Sequence, residues 1–324
     1  MPRLLLIAVY RQDWALGAEY VEQIRRAAGS HFEVAQARTD ADFERLLPGA
    51  EVLFGWHLAP ENLPRAAKLK WVQVGSAGID WALFPEFVRS GVVLTSAVGI
   101  HTVQMSEHAL AMMLALTRKL PHFVRRQAGR NWDRPAGDDM GELSGKTLGV
   151  FGLGAIGEAL AVRAKAFGMR VLGVKNSPSG YRGAADEAVG PDAMKRVLGE
   201  SDYVVNLLPL TKATRGIVSA AMIAAMKPTA FFVNLGRGAT VDEKALVAAL
   251  RAGKIRGAGL DVFEEEPLAE NSPLWEMENV IITPHVGGLT PRYWERATDL
   301  FCRNLARYIA GEELVNVVDK EIGY

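Results

Sequence analysis

The chain of 324 residues contains one cysteine, Cys302, so no disulfide can form within it, and none of its six histidines has the Cys/His spacing of a zinc site. A reducing compartment and no metal are the expectations that follow. Net charge is missing too, because 37 Lys and Arg residues balance 37 Asp and Glu. No global field draws such a chain to nucleic acid or to an anionic membrane, so neither is expected as a partner, and any anionic ligand must be handled locally. Long apolar runs are also absent. The most apolar helical stretch, residues 100–120, is interrupted by His101, Glu107 and His108, and falls short of the ~18 uninterrupted apolar residues that a spanning helix needs. The apolar run 4–9 follows Arg3 as a secretory signal would, but it ends at Tyr10-Arg11-Gln12-Asp13 without a small-x-small cleavage site. It therefore reads as a buried strand, and the expected location is cytoplasmic. No internal repeat or low-complexity tract is found.

What is present is ample apolar material, 49% hydrophobic against 23% charged residues, enough for two cores at ~100 to 200 residues per domain. Short apolar runs at 4–9, 51–54, 71–74 and 92–95 alternate with helical patterns at 18–28 and 40–47. A second series of runs follows at 147–151, 170–174, 203–208, 230–233, 258–262 and 280–282. These are continuous rather than alternating, as strands buried on both faces of a parallel sheet require. Between the two series lies one long helical pattern, 102–127, which Pro121 is expected to bend or end. A last helical pattern, 291–311, is expected to return to the first domain, so that residues 1–99 and 289–324 form one domain around an inserted domain, 100–288.

Gly152-Leu153-Gly154-Ala155-Ile156-Gly157 follows one of these strands and opens a helical pattern at 156–167. In such a loop the first glycine permits a tight turn, the second admits a pyrophosphate to the backbone, and the third lets helix pack on strand. Free amides at the helix start, here those of Ala155, Ile156 and Gly157, favour negative charge. The acidic residue that would bind an adenosine ribose 2′-hydroxyl, about 20 residues further on, is missing. Lys175, Asn176 and Ser177 stand there instead, with Arg182 nearby, which favours NADP(H) while leaving NAD(H) possible.

Three further segments end strands on the side where open α/β sheets bind ligands: 234–238, 260–267 and 283–288. They supply Arg237, Glu266 and His285, a set suited to reversible reduction of a 2-keto acid. Arg237 can hold the substrate carboxylate and polarise the carbonyl, His285 can deliver the proton, and Glu266 can hold His285 cationic and oriented.

On these motifs the chain resembles the D-isomer-specific 2-hydroxyacid dehydrogenase family over essentially its whole length, and within it the glyoxylate/hydroxypyruvate reductases. The matching segments are Gly152 to Gly157, then 233–238 followed by Val241-Asp242, then 260–263 through Glu266-Pro267-Leu268, and 284–288. The resemblance implies an α/β protein of two doubly wound parallel-sheet domains, a Rossmann dinucleotide-binding domain inserted into a flavodoxin-like substrate domain. It makes Arg237, Glu266 and His285 the catalytic trio. It places Leu208, Pro209, Thr214 and Leu235 at the cofactor and Asp261 near the nicotinamide carboxamide. It also makes the loop 74–80 a carboxylate site across an interdomain cleft, through the amides of Ala77 and Gly78, with Ser76 as a further substrate residue. His57, just after the strand at 51–54, is read from its position as a substrate contact at the cleft mouth. A homodimer is implied, with the region of the long helix and Trp132 in its interface.

Two other readings share parts of this pattern. Transcriptional corepressors of similar fold keep the same trio but carry long extra tails. Phosphite- or formate-oxidising relatives are the second, and the phosphite enzymes place a lysine in a loop where this chain has none between Val74 and Asp80. Met105, Met112 and Met113 recur near helical spacing and are read as packing or a dimer seam.

Overall fold

The structure, a computed structural model, describes residues 3–10, 15–137 and 140–323, with Asp80 described by its backbone alone. They divide into two compact units, Met1–Ile100 with Thr290–Tyr324, and His101–Leu289.

The first unit begins β1 (Arg3–Ala8), α1 (Ala18–Ala28), β2 (Phe32–Ala37), α2 (Asp40–Leu46), β3 (Ala50–Gly55), β4 (Trp71–Gln73), α3 (Pro85–Arg89) and β5 (Val93–Thr95). Its five strands are parallel in the order β2-β1-β3-β4-β5, the flavodoxin-like doubly wound arrangement. The central strands β1 and β3 supply Leu5, Leu6, Ile7, Val52, Leu53 and Phe54, all buried, as strands covered on both faces must. β2 is absent from the strands that the sequence pattern marks. It is an edge strand reading Phe-Glu-Val-Ala-Gln-Ala with only its two end residues buried, so it never shows an apolar run.

The second unit runs α4 (Thr102–Thr117), α5 (Leu120–Ala128), β6 (Thr147–Phe151), α6 (Ala155–Ala166), β7 (Arg170–Val174), β8 (Glu187–Val189), α7 (Met194–Glu200), β9 (Tyr203–Asn206), α8 (Ala220–Ile223), β10 (Phe231–Asn234), α9 (Glu243–Arg251), β11 (Gly257–Leu260) and β12 (Val280–Ile282). Its seven parallel strands lie in the order β12-β11-β10-β9-β6-β7-β8. Counted from β6 this is the Rossmann order 3-2-1-4-5-6 with one strand added, and the switch point falls between β6 and β9.

The single helix expected at 102–127 is a correction. Two helices occupy the stretch, and the chain leaves the first at Lys119, which takes the left-handed conformation with φ 52°. Pro121 lies in the first turn of α5, where a missing N–H leaves no bond unmade, so the proline starts the second helix instead of bending the first. Met112 and Met113 are buried in the core between α4, α6 and the sheet.

The last helix, α10 (Tyr293–Ala310), belongs to the first unit. Phe301 stacks on both Phe54 and Trp71, and α10 covers the same face of the sheet as α1. No helix among the described residues is long and apolar enough to cross a membrane.

Candidate active site

In the second unit the glycine loop leaves β6 and enters α6. Gly152 has φ 94°, a conformation that favours glycine, and a Cβ at Gly157 would stand 2.6 Å from the carbonyl oxygen of Gly152. Both glycines are therefore required by the fold itself. Gly154 is different. Its backbone is extended, with φ −100° and ψ −157°, and a Cβ there would meet nothing within 4 Å. Nothing inside the chain requires glycine at this exposed position. As N-cap of α6 it offers no side-chain cap, which leaves the first-turn amides of Ala155, Ile156 and Gly157 for an outside acceptor. This is the fit expected for a pyrophosphate.

The other expected cofactor residues gather around this loop. A Cβ on Gly152 would sit 3.0 Å from the Leu207 carbonyl, and one on Gly236 would sit 2.6 Å from the Leu208 carbonyl, so the turns after β6, β9 and β10 abut. Leu235 is buried in the core beside Leu153. Thr214 donates its hydroxyl to the Pro209 carbonyl at 2.6 Å and closes the turn after β9. Lys175, Asn176 and Ser177 leave the end of β7, next to β6, Asn176 and Ser177 being exposed and Lys175 half-buried.

Arg237, Glu266 and His285 follow β10, β11 and β12, three neighbouring strands, past their carboxyl ends. The Glu266 carboxylate accepts the Phe263 amide at 3.0 Å through Oε1 and lies 2.8 Å from His285 Nδ1 through Oε2. The carboxylate is thus fixed at one oxygen and orients the imidazole with the other, which assigns the proton to Nδ1 and aims Nε2 away from the pair. Arg237 donates from Nη1 to the Gly236 carbonyl at 2.9 Å. Glu264 and Glu265 are exposed and stand outside the pair.

Asp261 is 1% exposed. Its carboxylate accepts the Thr283 hydroxyl at 2.5 Å and the amides of Val286 and Gly287, each at 2.9 Å, while its own carbonyl accepts the His285 amide at 2.8 Å. These bonds clamp a turn in which His285 itself is left-handed, with φ 53°. Because Thr283 spends its proton on Asp261, His108 Nε2, 3.1 Å away, is the donor to the Thr283 hydroxyl. The sequence singled out Asp261 for the cofactor. Its bonds give it an internal task first, and the helix histidine behind it carries no sequence signal beyond its presence.

In the first unit, the loop after β4 turns its carbonyls inward. Gly75 accepts the Tyr293 hydroxyl at 2.5 Å, Ser76 accepts the Ala97 amide at 2.9 Å, and Gly78 accepts Ser76 Oγ at 2.8 Å and Trp81 Nε1 at 3.2 Å. Burial pushes the Tyr293 hydroxyl well above its ordinary pKa, so it stays a donor. Among the described residues, no hydrogen bond takes the amides of Ser76, Ala77 or Gly78. His57, two residues past the neighbouring β3, stacks on Tyr10 at 3.9 Å, and its Nδ1 lies 2.8 Å from the Ala8 carbonyl. Among the described residues no group of three or more His, Cys, Asp or Glu side chains could hold a metal ion.

Comparison with known proteins agrees with this geometry. Residues 110–287 match the model of the D-isomer specific 2-hydroxyacid dehydrogenase NAD binding domain. A glyoxylate reductase of Pyrococcus furiosus is 39% identical over 271 residues, 81% of this chain and 78% of that protein. A D-isomer specific 2-hydroxyacid dehydrogenase family protein from Aeromonas salmonicida has a similar structure, with 35% identity and TM-score 0.86 over 99% of this chain and 100% of that one. An NADPH-dependent glyoxylate/hydroxypyruvate reductase from Sinorhizobium meliloti, solved with NADP and sulfate, is 31% identical with TM-score 0.83, each chain being covered in full.

Proposed function

The chain belongs to the D-isomer specific 2-hydroxyacid dehydrogenase family, NAD(P)-dependent oxidoreductases of small 2-hydroxy and 2-keto acids, and from that premise we propose that it reduces glyoxylate, hydroxypyruvate or a similar 2-keto acid to the D-2-hydroxy acid. The observation that carries this reading is the Glu266–His285 hydrogen bond, on strand ends of the sheet that also presents Gly154. When bound, the nicotinamide supplies the hydride that reaches the keto carbon. His285 delivers a proton from Nε2 to the carbonyl oxygen, since Nδ1 is committed to Glu266. Arg237 pairs with the substrate carboxylate and polarises the carbonyl. Asp261 uses three of the roughly four lone-pair sites of a carboxylate on its own turn, which leaves one on Oδ2 for the nicotinamide carboxamide.

Residues 100–288 act in this reading as the dinucleotide-binding domain, through Gly152 to Gly157, Leu208, Pro209, Thr214 and Leu235. Residues 1–99 and 289–324 act as the substrate domain. In the latter, the amides of Ser76, Ala77 and Gly78 offer a carboxylate site and His57 a substrate contact. NADPH is the preferred cofactor and NADH a possible one, because Lys175, Asn176 and Ser177 replace the acidic ribose ligand. The protein works as a cytoplasmic homodimer. Support for the dimer comes from α5, which has no buried residue, and from Leu120, Val124 and Trp132, large apolar side chains all exposed on this unit.

Specificity constants with NADPH and NADH test the cofactor assignment. NADPH should be clearly higher, and Lys175→Asp should narrow or reverse the difference; equal constants in the native chain would refute it.

A further inference from the structure

The loop after β7 contains a contact that the reading above does not use. The Lys175 ammonium lies 5.4 Å from the centre of the Tyr181 ring, over its face. Tyr181 is itself held from three sides. Its hydroxyl donates to Glu158 Oε2 at 2.9 Å and accepts the Ala185 amide at 2.9 Å, and its amide donates to the Pro178 carbonyl at 3.1 Å. Glu158, in the first turn of α6, takes the Ala184 amide on the same oxygen at 3.0 Å. The far end of the loop is tied as well, since Asp186 accepts the Val171 amide and the Lys165 ammonium. Tyr181 is thus a ring fastened to the helix that carries the pyrophosphate amides, with its face under the one cation at the end of β7.

We propose that Tyr181 is a positioning residue for cofactor choice, holding the Lys175 ammonium in place for the 2′-phosphate of a phosphorylated adenosine. The inference rests on the NADP reading of Lys175. A free lysine has four rotatable bonds, and ordering them on binding costs affinity that a preset side chain keeps. The ring face attracts a cation without neutralising it, unlike a carboxylate, so the ammonium keeps its full charge for the phosphate.

The test is calorimetric binding of adenosine 2′,5′-bisphosphate and of 5′-AMP, whose ratio of affinities isolates the 2′-phosphate. Lys175→Ala should abolish most of that ratio. Tyr181→Leu should lower it about fivefold, the scale of an exposed cation–π contact, with 5′-AMP affinity nearly unchanged, and Tyr181→Phe, which keeps the ring, should restore most of it. Tyr181→Met fills similar space without a π-face and takes the place of the leucine variant should that one fail to fold. An unchanged ratio in Tyr181→Leu or Met, together with a collapsed one in Lys175→Ala, overturns the role of Tyr181 and leaves the NADP reading standing. A ratio equally low in Tyr181→Phe and Tyr181→Leu also overturns it, because the ring face then does nothing. An unchanged ratio in Lys175→Ala removes both.

Discussion

The two units offer proposed anion sites of different kinds. In the second unit the groups proposed to act on ligands are side chains, Lys175, Arg237, Glu266 and His285, set on strand ends of a seven-stranded sheet. In the first, five-stranded unit the groups proposed to meet a ligand are backbone amides at 76–78, and the side chains of Tyr293, Ser76 and Trp81 donate to carbonyls of the same loop. A side-chain site is written in residue types and can be deleted one residue at a time. An amide site belongs to the path of the chain, so substitutions act on it only by moving the backbone.

The largest effect should therefore come from the side-chain site. His285→Asn is expected to lower the turnover number by about 10²- to 10⁴-fold, the range for losing a general acid, while the dissociation constant for NADPH stays nearly native; near-normal turnover would break the account.

Gly154→Val sharpens the contrast within the second unit, because backbone matters there too at one point. The fold should tolerate the change, since space is open around a Cβ at 154. Loss of the close approach to two or three amides, each charge-assisted bond contributing about 1.5–3 kcal/mol, should weaken NADPH by about tenfold or more. An unchanged dissociation constant would mean that the glycine has no external partner.

The same division explains what could be read from the sequence. Continuous apolar runs mark both parallel sheets, because strands covered on two faces need them, and they miss β2 and β8, edge strands whose middle residues are not buried. Arg237, Glu266 and His285 stand out because their chemistry is in their side chains. Three things stayed hidden. Tyr181 lies six residues from the lysine it touches, in a loop with no period. His108 and Thr283 are brought together only by the packing of α4 on the sheet, 175 residues apart in the chain. The break at Lys119 depends on one residue taking a left-handed conformation, which a non-glycine residue seldom announces.

For the amide site, Tyr293→Phe removes the bond that anchors Gly75. A KM for the keto acid raised severalfold, with NADPH affinity unmoved, is expected from steady-state kinetics and cofactor titration. Equal damage to cofactor binding would show that the two sites are not separable in this way. The smallest effect concerns stability of the first unit. Glu51 accepts both Arg3 nitrogens and the Tyr308 hydroxyl, and its carboxyl is held below the usual range chiefly by the Arg3 hydrogen bonds. A lowered carboxyl pKa stabilises the fold above the ordinary glutamate range and loses that contribution as pH falls through the folded value. Glu51→Gln should therefore cost about 1–3 kcal/mol near neutrality and almost nothing in acid, as denaturant melts at the two pH values would report.

A keto acid reductase consumes reduced cofactor only when a keto acid is present. Purified protein mixed with glyoxylate, hydroxypyruvate and larger 2-keto acids, each with NADPH and with NADH, should oxidise NADPH fastest with the small acids and yield the D-2-hydroxy acid. Failure to consume either reduced cofactor with any keto acid in the panel would contradict the account.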